Sequence, residues 1–540
     1  MVGADELDTG PDLGRAPDRP WEPERTRTCV RGRVLIKLAP GEAGDHVPHY
    51  LEVARGLRTA ALAVDDGAVD RAIRRFSPAA QVTRAFHAAK QVMVGGETRH
   101  HFDDLEEHIG LSRTFRIDLD PDASLLGLLE ELKGLAVIEA ATPQYLAVTP
   151  FAGPRPRGAG SRRGPAPPSA AAVDRRYAQR MIGADEALAF EPGDSALIVG
   201  IIDSGVALDH QELQGRLRPG VDTVDLPPDR TTRGLTLIGD SSDPDRIPRD
   251  EMGHGTACAS IIGARGLSVP PGLGGAARLL AARALAAARF AERSTLTALG
   301  CIPDIDQAVK LAVDLGAKVL NLSFGTPETA LRPDDPRPHE DVIAYALARG
   351  AIPVAASGNS GTPTRYYPAA HPGVLAVGSV GENGLPSSFS TRGDHVALCA
   401  PGERVFAAGL DGYQSQSGTS FASPFVAGAC ALLVARAARY GVALTAEDAR
   451  TYLTRHARPF SPAARITGCG SGVLNVPAAL HALEDVLGRR DRRGSFTAEE
   501  RRAAPHAPVA EPPSRGSKTH AFGRGFLEPN PTRTTEEKRP

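Results

Sequence analysis

The stretch ALIVGIID, residues 196–203, is an unbroken apolar run that ends in an aspartate. Three later runs have the same character, namely AKVLNLSFG at 317–325, AIPVAASGN at 351–359 and GVLAVGSV at 373–380. Apolar residues that continue without polar alternation are typical of strands buried on both faces of a sheet. We therefore predict that these runs form the centre of one sheet.

Helical segments separate these strands. DIDQAVKLAVDLG at 304–316 and DVIAYALARG at 341–350 place apolar residues at helical spacing. Alternation of strands and helices predicts an α/β fold in which a mostly parallel sheet is covered by helices. Side chains at the carboxyl ends of parallel strands face the ligand crevice. Asp203 lies at such an end.

Changes in composition divide the 540 residues into five parts. Strands such as RVLIKLAP alternate with two helical patterns ahead of the α/β region, which predicts a small α+β unit of the split βαβ kind. A segment rich in Pro, Gly and Arg follows it and predicts an exposed linker that proteases can reach. The predicted parts are a disordered leader over 1–30, the α+β domain over 31–150, the linker over 151–173, the α/β domain over 174–486 and a disordered charged tail over 487–540.

Bulk properties exclude several classes of function. A formal net charge of −2 gives no reason to expect nucleic acid or a membrane as a partner. No apolar run is expected to reach the roughly 20 residues that cross a bilayer. The acidic, proline-rich start lacks the features of a secretory signal, so a cytoplasmic location is expected on the sequence as given, with export by an unrecognised route as the alternative. Six scattered cysteines without a CxxC pair predict buried thiols.

The stretch SQSGTSFASPFVAG contains four serines, of which Ser420 directly precedes a long apolar helical pattern. Pro424 is tolerated only in the first turn of a helix, so Ser420 is predicted at the helix N-terminus. Unpaired N–H groups and the helix dipole favour negative charge there. The other three are predicted to be loop residues or, for the last, a packing or capping residue: Ser415, Ser417 and Ser423.

A serine becomes a nucleophile only beside a base, an orienting carboxylate and an oxyanion donor. Asp203 in DSG, His254 in GHGT and Asn359 in SGN offer those three groups. Each residue alone has an ordinary alternative, because an Asp or Asn at a strand end often forms a turn and a His between glycines often caps or packs.

Together and in this order, DSG, GHGT, SGN and GTSFASP resemble the signatures of the subtilisin-like serine proteases (subtilases, peptidase S8 family) over about residues 174–486. The resemblance implies the family's three-layer fold and peptide-bond hydrolysis through an acyl-enzyme. It implies Asp203 as orienting carboxylate, His254 as general base and Ser420 as nucleophile. Asn359 and the Ser420 backbone N–H are implied as the oxyanion hole.

The same resemblance implies where a substrate binds. Tyr366 falls where many relatives carry a small residue at the base of the first specificity pocket, which predicts a shortened pocket and a preference for small side chains. The implied substrate-binding residues, on the substrate-pairing strand and the opposite wall, are Leu322, Ser323, Phe324, Gly325, Ala356, Ser357, Gly358 and Tyr366.

Residues 31–150 resemble the ferredoxin-like N-terminal propeptide of the family. This likeness implies a zymogen in which the propeptide acts as an intramolecular inhibitor until the chain is cut within about 145–173. The expected partners are therefore a peptide or protein substrate and the chain's own N-terminal segment. Two alternatives stay open: a dedicated processing protease for one partner protein, and a non-catalytic pseudoprotease.

No cofactor is expected for catalysis. Glu212 falls where relatives often carry a calcium-binding Asp, but one Glu does not supply the six to eight or so oxygen ligands of a calcium site. The following loop at 263–277 lacks the Asn-rich pattern of calcium-binding relatives. The acidic run at 239–251 is interpreted as a solvated loop, with cation binding as the alternative. A structural calcium is thus allowed by the resemblance but not supported by the residues, and the metal is unassigned.

Overall fold

A computed structural model of the chain describes residues 29–41, 46–94, 97–149, 174–231, 234–291, 296–461 and 466–492. Residues 29–149 are called the N-terminal unit below, and residues 174–492 the C-terminal unit. The predicted disordered leader, linker and tail lie almost entirely outside the described residues.

The described residues form twenty strands and twelve α-helices. The strands are β1 Cys29–Leu38, β2 Gln81–Arg84, β3 Lys90–Val94, β4 Glu97–His101, β5 Thr114–Asp118, β6 Ile138–Val148, β7 Ile198–Asp203, β8 Leu217–Asp222, β9 Leu235–Ile238, β10 Arg278–Arg283, β11 Ala286–Phe290, β12 Leu296–Cys301, β13 Ala317–Leu322, β14 Thr326–Pro327, β15 Ile352–Ala356, β16 Tyr366–Tyr367, β17 Leu375–Val380, β18 Val396–Pro401, β19 Val405–Ala408 and β20 Tyr413–Gln416. The helices are α1 Tyr50–Ala54, α2 Ala68–Phe76, α3 Asp104–Ile109, α4 Leu125–Lys133, α5 Tyr177–Ile182, α6 Ala184–Phe190, α7 His254–Gly263, α8 Ile302–Asp314, α9 Glu340–Ala348, α10 Thr419–Ala438, α11 Ala446–Arg455 and α12 Val476–Arg492.

The C-terminal unit is built on a seven-stranded parallel sheet in the order β18-β17-β15-β13-β7-β10-β8. The four predicted apolar runs are its strands β7, β13, β15 and β17. Successive side chains of β7 point to opposite faces, so Val199 and Ile201 pack with α7 and α10, whereas Ile198 and Ile202 pack with α8 and α9. The prediction of a three-layer α/β fold is confirmed.

Helix α10 runs through the core of this unit. Among the described helices it is the one long and apolar enough to span a membrane, with a mean hydropathy of 1.6. The expectation that no apolar run approaches that length is therefore wrong. Its most apolar stretch is 83% buried inside the protein, however, as in the core helix of a globular domain. Pro424 is the sixth residue of α10 and lies inside the helix, not in its first turn as predicted. Because proline has no N–H, the Ser420 carbonyl oxygen instead accepts from the side chains of Cys258 and Ser323.

The N-terminal unit has an antiparallel sheet in the order β2-β5-β1-β6. Helices α2 and α4 cover one face and bury residues such as Ile36, Ile73 and Leu128. The sheet does not end at β6, because β6 pairs antiparallel with β12 of the C-terminal unit, and β11 and β9 continue it. One seven-stranded sheet thus crosses between the two units.

Charged side chains are buried where the N-terminal unit meets α8. Lys310 on α8 lies 2.5 Å from Glu106 on α3, and both side chains have 0% exposure. Arg116 on β5 lies 3.4 Å from Asp304 and also contacts Asp225. Buried charges are tolerated when they are paired in this way.

Some predicted boundaries and assignments differ from the structure. Helix α12 continues to Arg492, past the predicted domain end at 486, and β1 already begins at Cys29. Ser415, predicted to be a loop residue, lies in β20 because that segment pairs with β19. None of the six cysteines, all of which lie in the described residues, forms a disulfide, and all six are buried as predicted.

Candidate active site

Asp203 and His254 meet at the carboxyl edge of the parallel sheet. Asp203 is the last residue of β7, and His254 is the first residue of α7. The His254 Nδ1 lies 2.7 Å from the Asp203 Oδ1, and both side chains are fully buried. An imidazole N–H that donates to a carboxylate fixes the ring and its tautomer, leaving Nε2 as the basic atom.

This hydrogen bond requires α7 to approach β7 very closely. A Cβ atom at Gly255 would lie 2.1 Å from the carbonyl oxygen of Gly205 and 3.1 Å from the Asp203 Cβ. No real side chain fits at such distances, so the helix reaches the strand end only because residue 255 is glycine. The second glycine of GHGT, Gly255, is therefore required on steric grounds.

Asp250 holds this arrangement together, and the sequence interpretation missed it. Its Oδ1 accepts hydrogen bonds from the Ser204 hydroxyl at 2.9 Å and from the backbone N–H groups of Met252 and Gly253. Its Oδ2 accepts from the Thr256 N–H and hydroxyl at 2.9 and 2.6 Å. Burial raises the pKa of Asp250 above its usual range. One carboxylate thus ties the end of β7 to the first turn of α7.

Ser420 lies in the first turn of α10, against the helix that carries His254. The Cys258 thiol, one turn after His254, donates to the Ser420 carbonyl oxygen at 3.4 Å. The rings of Phe421 and His254 are 5.2 Å apart. Ser323 donates from its hydroxyl to the same carbonyl oxygen at 2.9 Å. Ser423, by contrast, donates to Asn321 at 2.8 Å within the core.

Asn359 is oriented by the residue before Ser420. The Thr419 N–H and hydroxyl donate to Asn359 Oδ1 at 2.9 and 2.8 Å. Because an N–H can only donate, the atom facing it must be the amide oxygen, and the Asn359 NH₂ group points the other way. The Thr419 hydroxyl also accepts from the Gly358 N–H at 3.2 Å. The Asn359 amide is thus held as a fixed donor beside the N-terminus of α10.

The donor atoms of Asp203, His254 and Cys258 lie within 4.8 Å of one another, a spacing that a metal ion also uses. The 2.7 Å separation of Asp203 Oδ1 from His254 Nδ1 is a hydrogen bond. Two ligands of one tetrahedral zinc ion lie roughly 3.3 Å apart when each bond is about 2.0 Å. The group is therefore best described as a hydrogen-bonded pair next to a thiol.

The predicted substrate-binding residues flank this site on two strand ends. Leu322 ends β13 and Ala356 ends β15. Beyond them, the Gly325 N–H donates to the Val148 carbonyl oxygen at 2.9 Å, and the Val148 N–H donates to the Gly325 carbonyl oxygen at 3.2 Å. The Ser357 N–H donates to the carbonyl oxygen of Val377 on the neighbouring strand β17 at 3.0 Å. Ser357 thus continues the backbone pairing of the parallel sheet.

Tyr366 lies between the two predicted walls. A Cβ at Gly358 would meet the Tyr366 ring at 2.6 Å, and a Cβ at Gly325 would meet it at 3.3 Å. Burial raises the pKa of the Tyr366 hydroxyl. The ring therefore fills space between Gly325 and Gly358. Phe324, which directly precedes Gly325 on the first wall, packs its ring 5.6 Å from that of His339.

Glu212 is surrounded by backbone N–H groups. Its carboxylate accepts from residues 266–269 at 2.9, 3.0, 2.6 and 3.2 Å. The positive ends of these N–H dipoles point at the carboxylate, whereas a calcium ion requires oxygen ligands around it. These residues do not fit a calcium ion. The loop uses backbone donors to neutralise a buried carboxylate.

We predict that no calcium ion binds at Glu212. Chelation with EDTA should therefore leave the melting temperature of the Ser420→Ala chain unchanged. Adding Glu212→Gln to that background is expected to lower stability at neutral pH by about 1–3 kcal/mol, because N–H groups lose a charged acceptor. Calorimetry with and without EDTA checks both effects. A large destabilisation by EDTA that Glu212→Gln abolishes would contradict the assignment.

The same carboxylate sets a pH dependence. Burial acts to raise the pKa of Glu212, but the N–H groups of residues 266–269 outweigh it and hold the pKa below its usual range. A depressed carboxylate pKa contributes stability above the unfolded value of about 4.3, and that contribution is lost as the pH falls through the folded pKa. The stability gap between Ser420→Ala and its Glu212→Gln derivative should therefore narrow below about pH 4.

An Asp–His pair beside a serine at a helix N-terminus, on the carboxyl edge of a parallel sheet, defines the class of serine hydrolases. The profile of the subtilase family (Peptidase_S8) matches residues 194–484, more than half of the chain. The chain belongs to the subtilase family.

Its relatives are named proteases. It is 35% identical over 251 residues to the thermophilic serine proteinase of Bacillus sp. (strain AK1), covering 45% of this chain and 53% of that protein. It is 32% identical to thermitase of Thermoactinomyces vulgaris, covering 48% of this chain and 83% of thermitase. Subtilisin DY of Bacillus licheniformis is 31% identical, over 56% of this chain and 97% of that protein. The match thus spans about half of the first relative and most of the other two.

Proposed function

We infer that the chain is a serine endopeptidase that hydrolyses peptide bonds in peptide or protein substrates. The observation that carries this inference is the 2.7 Å hydrogen bond between Asp203 and His254, next to Ser420 at the N-terminus of a buried helix. Family membership supports the same reaction. The reaction needs no cofactor, since the side chains supply the nucleophile, the base and the oxyanion donors.

The roles follow from these positions. The Ser420 hydroxyl attacks the substrate carbonyl while His254 takes its proton, and Asp203 stabilises the imidazolium. The Asn359 NH₂ group and the Ser420 N–H donate to the oxyanion, whose charge the α10 N-terminus also favours. His254 then protonates the leaving amine, and water releases the acyl group from Ser420.

A serine-directed fluorophosphonate tests the assignment of the nucleophile. We expect it to label the wild type and the matched control Ser423→Ala but not Ser420→Ala, since Ser423 bonds within the core. Asn359→Ala should retain labelling but lower kcat by roughly 10²–10³-fold, the usual effect of losing one oxyanion donor. Labelling by mass spectrometry and peptide kinetics measure these outcomes.

The same experiment separates the alternatives. A folded wild type that stays unlabelled after its N-terminal unit is displaced would favour the pseudoprotease reading and contradict the enzyme. A labelled enzyme that leaves unfolded proteins intact would favour a dedicated processing protease for one partner.

We also propose that the N-terminal unit is a propeptide that inhibits the enzyme within the same chain. The two Val148–Gly325 hydrogen bonds and a third from the Thr149 N–H to the Ala298 carbonyl oxygen at 2.9 Å support this. They put the end of β6 between two backbone segments, as strand addition by a peptide substrate would. A substrate can pair there only after this segment leaves.

Val148→Pro tests the inhibitory contact. Proline removes the N–H that donates to the Gly325 carbonyl oxygen and leaves the preceding residue extended, as it already is in β6. We expect faster fluorophosphonate labelling of the fresh precursor than in wild type. Val148→Ala keeps the N–H and should label at a rate close to wild type. Equal labelling rates in both variants would contradict the proposal.

We propose that Tyr366 limits the size of the first specificity pocket, because its ring lies between Gly325 and Gly358. Small side chains such as alanine would then be preferred before the cleaved bond. Tyr366→Gly should raise kcat/KM for Phe peptides relative to Ala peptides by about tenfold or more, since pocket volume discriminates at that level. Tyr366→Phe keeps the ring and should leave the ratio unchanged. A strong Phe preference in the wild type would overturn the assignment.

A further inference from the structure

A cavity of about 580 Å³ lies between the N-terminal unit and helices α8 and α9. Gln144 on β6 and Lys37 on β1 line one side, and Asp306 and the segment 333–341 line the other. None of Asp203, His254, Ser420 and Asn359 lines it. The cavity is therefore a separate site with walls from both units.

Gln144 is the first sign that this cavity is a binding site. Its side chain is 1% exposed, and within the described residues neither its amide oxygen nor its amide nitrogen has a hydrogen-bond partner. Buried amides are nearly always paired. A buried and unpaired amide that lines a cavity has one donor and one acceptor available for a ligand.

His339 is the second sign. It is 3% exposed and has φ of +70°, a conformation that non-glycine residues seldom adopt and that concentrates at functional sites. Its Nδ1 lies 2.5 Å from Asp306 Oδ1, whereas its Nε2 has no partner in the described part of the chain. With Nδ1–H donating to the carboxylate, Nε2 is a hydrogen-bond acceptor.

The charge at the cavity favours a cation. Lys37 pairs with Asp341 at 2.9 Å and with Glu139 at 3.1 Å, and Lys133 pairs with Asp335 at 2.7 Å. The acidic lining residues outnumber the basic ones: Glu139, Asp306, Asp334, Asp335, Glu340 and Asp341 against Lys37 and Arg337. Glu340 and Asp334 are exposed and form no ion pair among the described residues. The mouth therefore carries net negative charge, which attracts cations.

We propose that this cavity binds a small organic cation that carries a carboxamide, the class of basic amino-acid amides and short basic peptides. The carboxamide pairs reciprocally with the Gln144 amide, an N–H donates to His339 Nε2, and the cationic group lies at the acidic mouth near Glu340. Because the ligand contacts both units, its binding stabilises the state in which they are associated.

Argininamide is the probe, and the full-length Ser420→Ala chain is the protein, so that proteolysis plays no part. We expect saturable binding by calorimetry and a rise in melting temperature. Gln144→Leu should weaken the affinity by about tenfold or more, because an amide–amide pair is lost. This variant should fold, since the Gln144 amide has no hydrogen-bond partner to lose among the described residues. Glu340→Gln should weaken binding and reduce its salt dependence.

Gln179→Leu is the matched control, because Gln179 is another buried glutamine whose amide oxygen has no partner in the described part of the chain, but it does not line the cavity. The affinity of this variant for argininamide should equal that of the Ser420→Ala chain in which it is made. No binding, equal binding by Gln144→Leu, or equal binding of the anion N-acetylaspartate would each overturn the proposal. Since binding is measured without activity, its failure leaves the protease assignment intact.

Discussion

The close approach of α7 to the end of β7 is the constraint on which the active site depends. Gly255 lets the two backbones meet at a distance that a Cβ would forbid. The Asp203–His254 hydrogen bond then forms. Asp250 stabilises the contact by accepting hydrogen bonds from Ser204, directly after β7, and from Thr256 in α7. The hydrogen bond from the Cys258 thiol to the Ser420 carbonyl oxygen fixes the position of helix α10 against α7. The residues proposed as nucleophile, base and orienting carboxylate are thus positioned by backbone packing inside a dense core, so that little reorganisation is needed when charge develops.

Local sequence patterns were sufficient to predict the strands of the central sheet and the position of Ser420 at the start of a helix. Uninterrupted apolar runs leave few alternatives to strands buried on both faces. The proline rule put Pro424 one turn too early, but Ser420 was still placed correctly because α10 begins just before it. Asp250 was missed because it lies in an acidic run that looks solvated, and only the fold shows that its carboxylate turns inward toward Ser204 and Thr256. The end of α12 was set too early because charged residues in a surface helix resemble a disordered tail.

Other features depend on contacts between residues far apart in the chain. The pairing of β6 with β12 joins residues about 150 positions apart, and neither strand pattern specifies its partner. The backbone donors around Glu212 come from a loop whose conformation no composition rule gives. The cavity near Gln144 is also invisible to local patterns, because its walls belong to two units.

The contact between the units is unusual in its buried charge. Lys310 and Glu106 have no exposure, and Lys310 also pairs with Asp314 at 2.8 Å. Loss of Lys310 alone would therefore leave the buried Glu106 carboxylate without its cation. Separation of the whole N-terminal unit is different, since both groups then become hydrated together. Such an interface tolerates complete dissociation better than the loss of single residues, which agrees with the proposed release of the N-terminal unit as one body.

The shared seven-stranded sheet also bears on solubility. Strand β12 has β11 on one side and β6 on the other, so neither side presents unpaired backbone groups to a second molecule. Under the proposed release of the N-terminal unit, β12 would become an open edge, and open edges recruit strands from neighbouring chains. That edge would then be filled either by a peptide substrate or by a strand of another molecule, so aggregation should rise when no peptide is present.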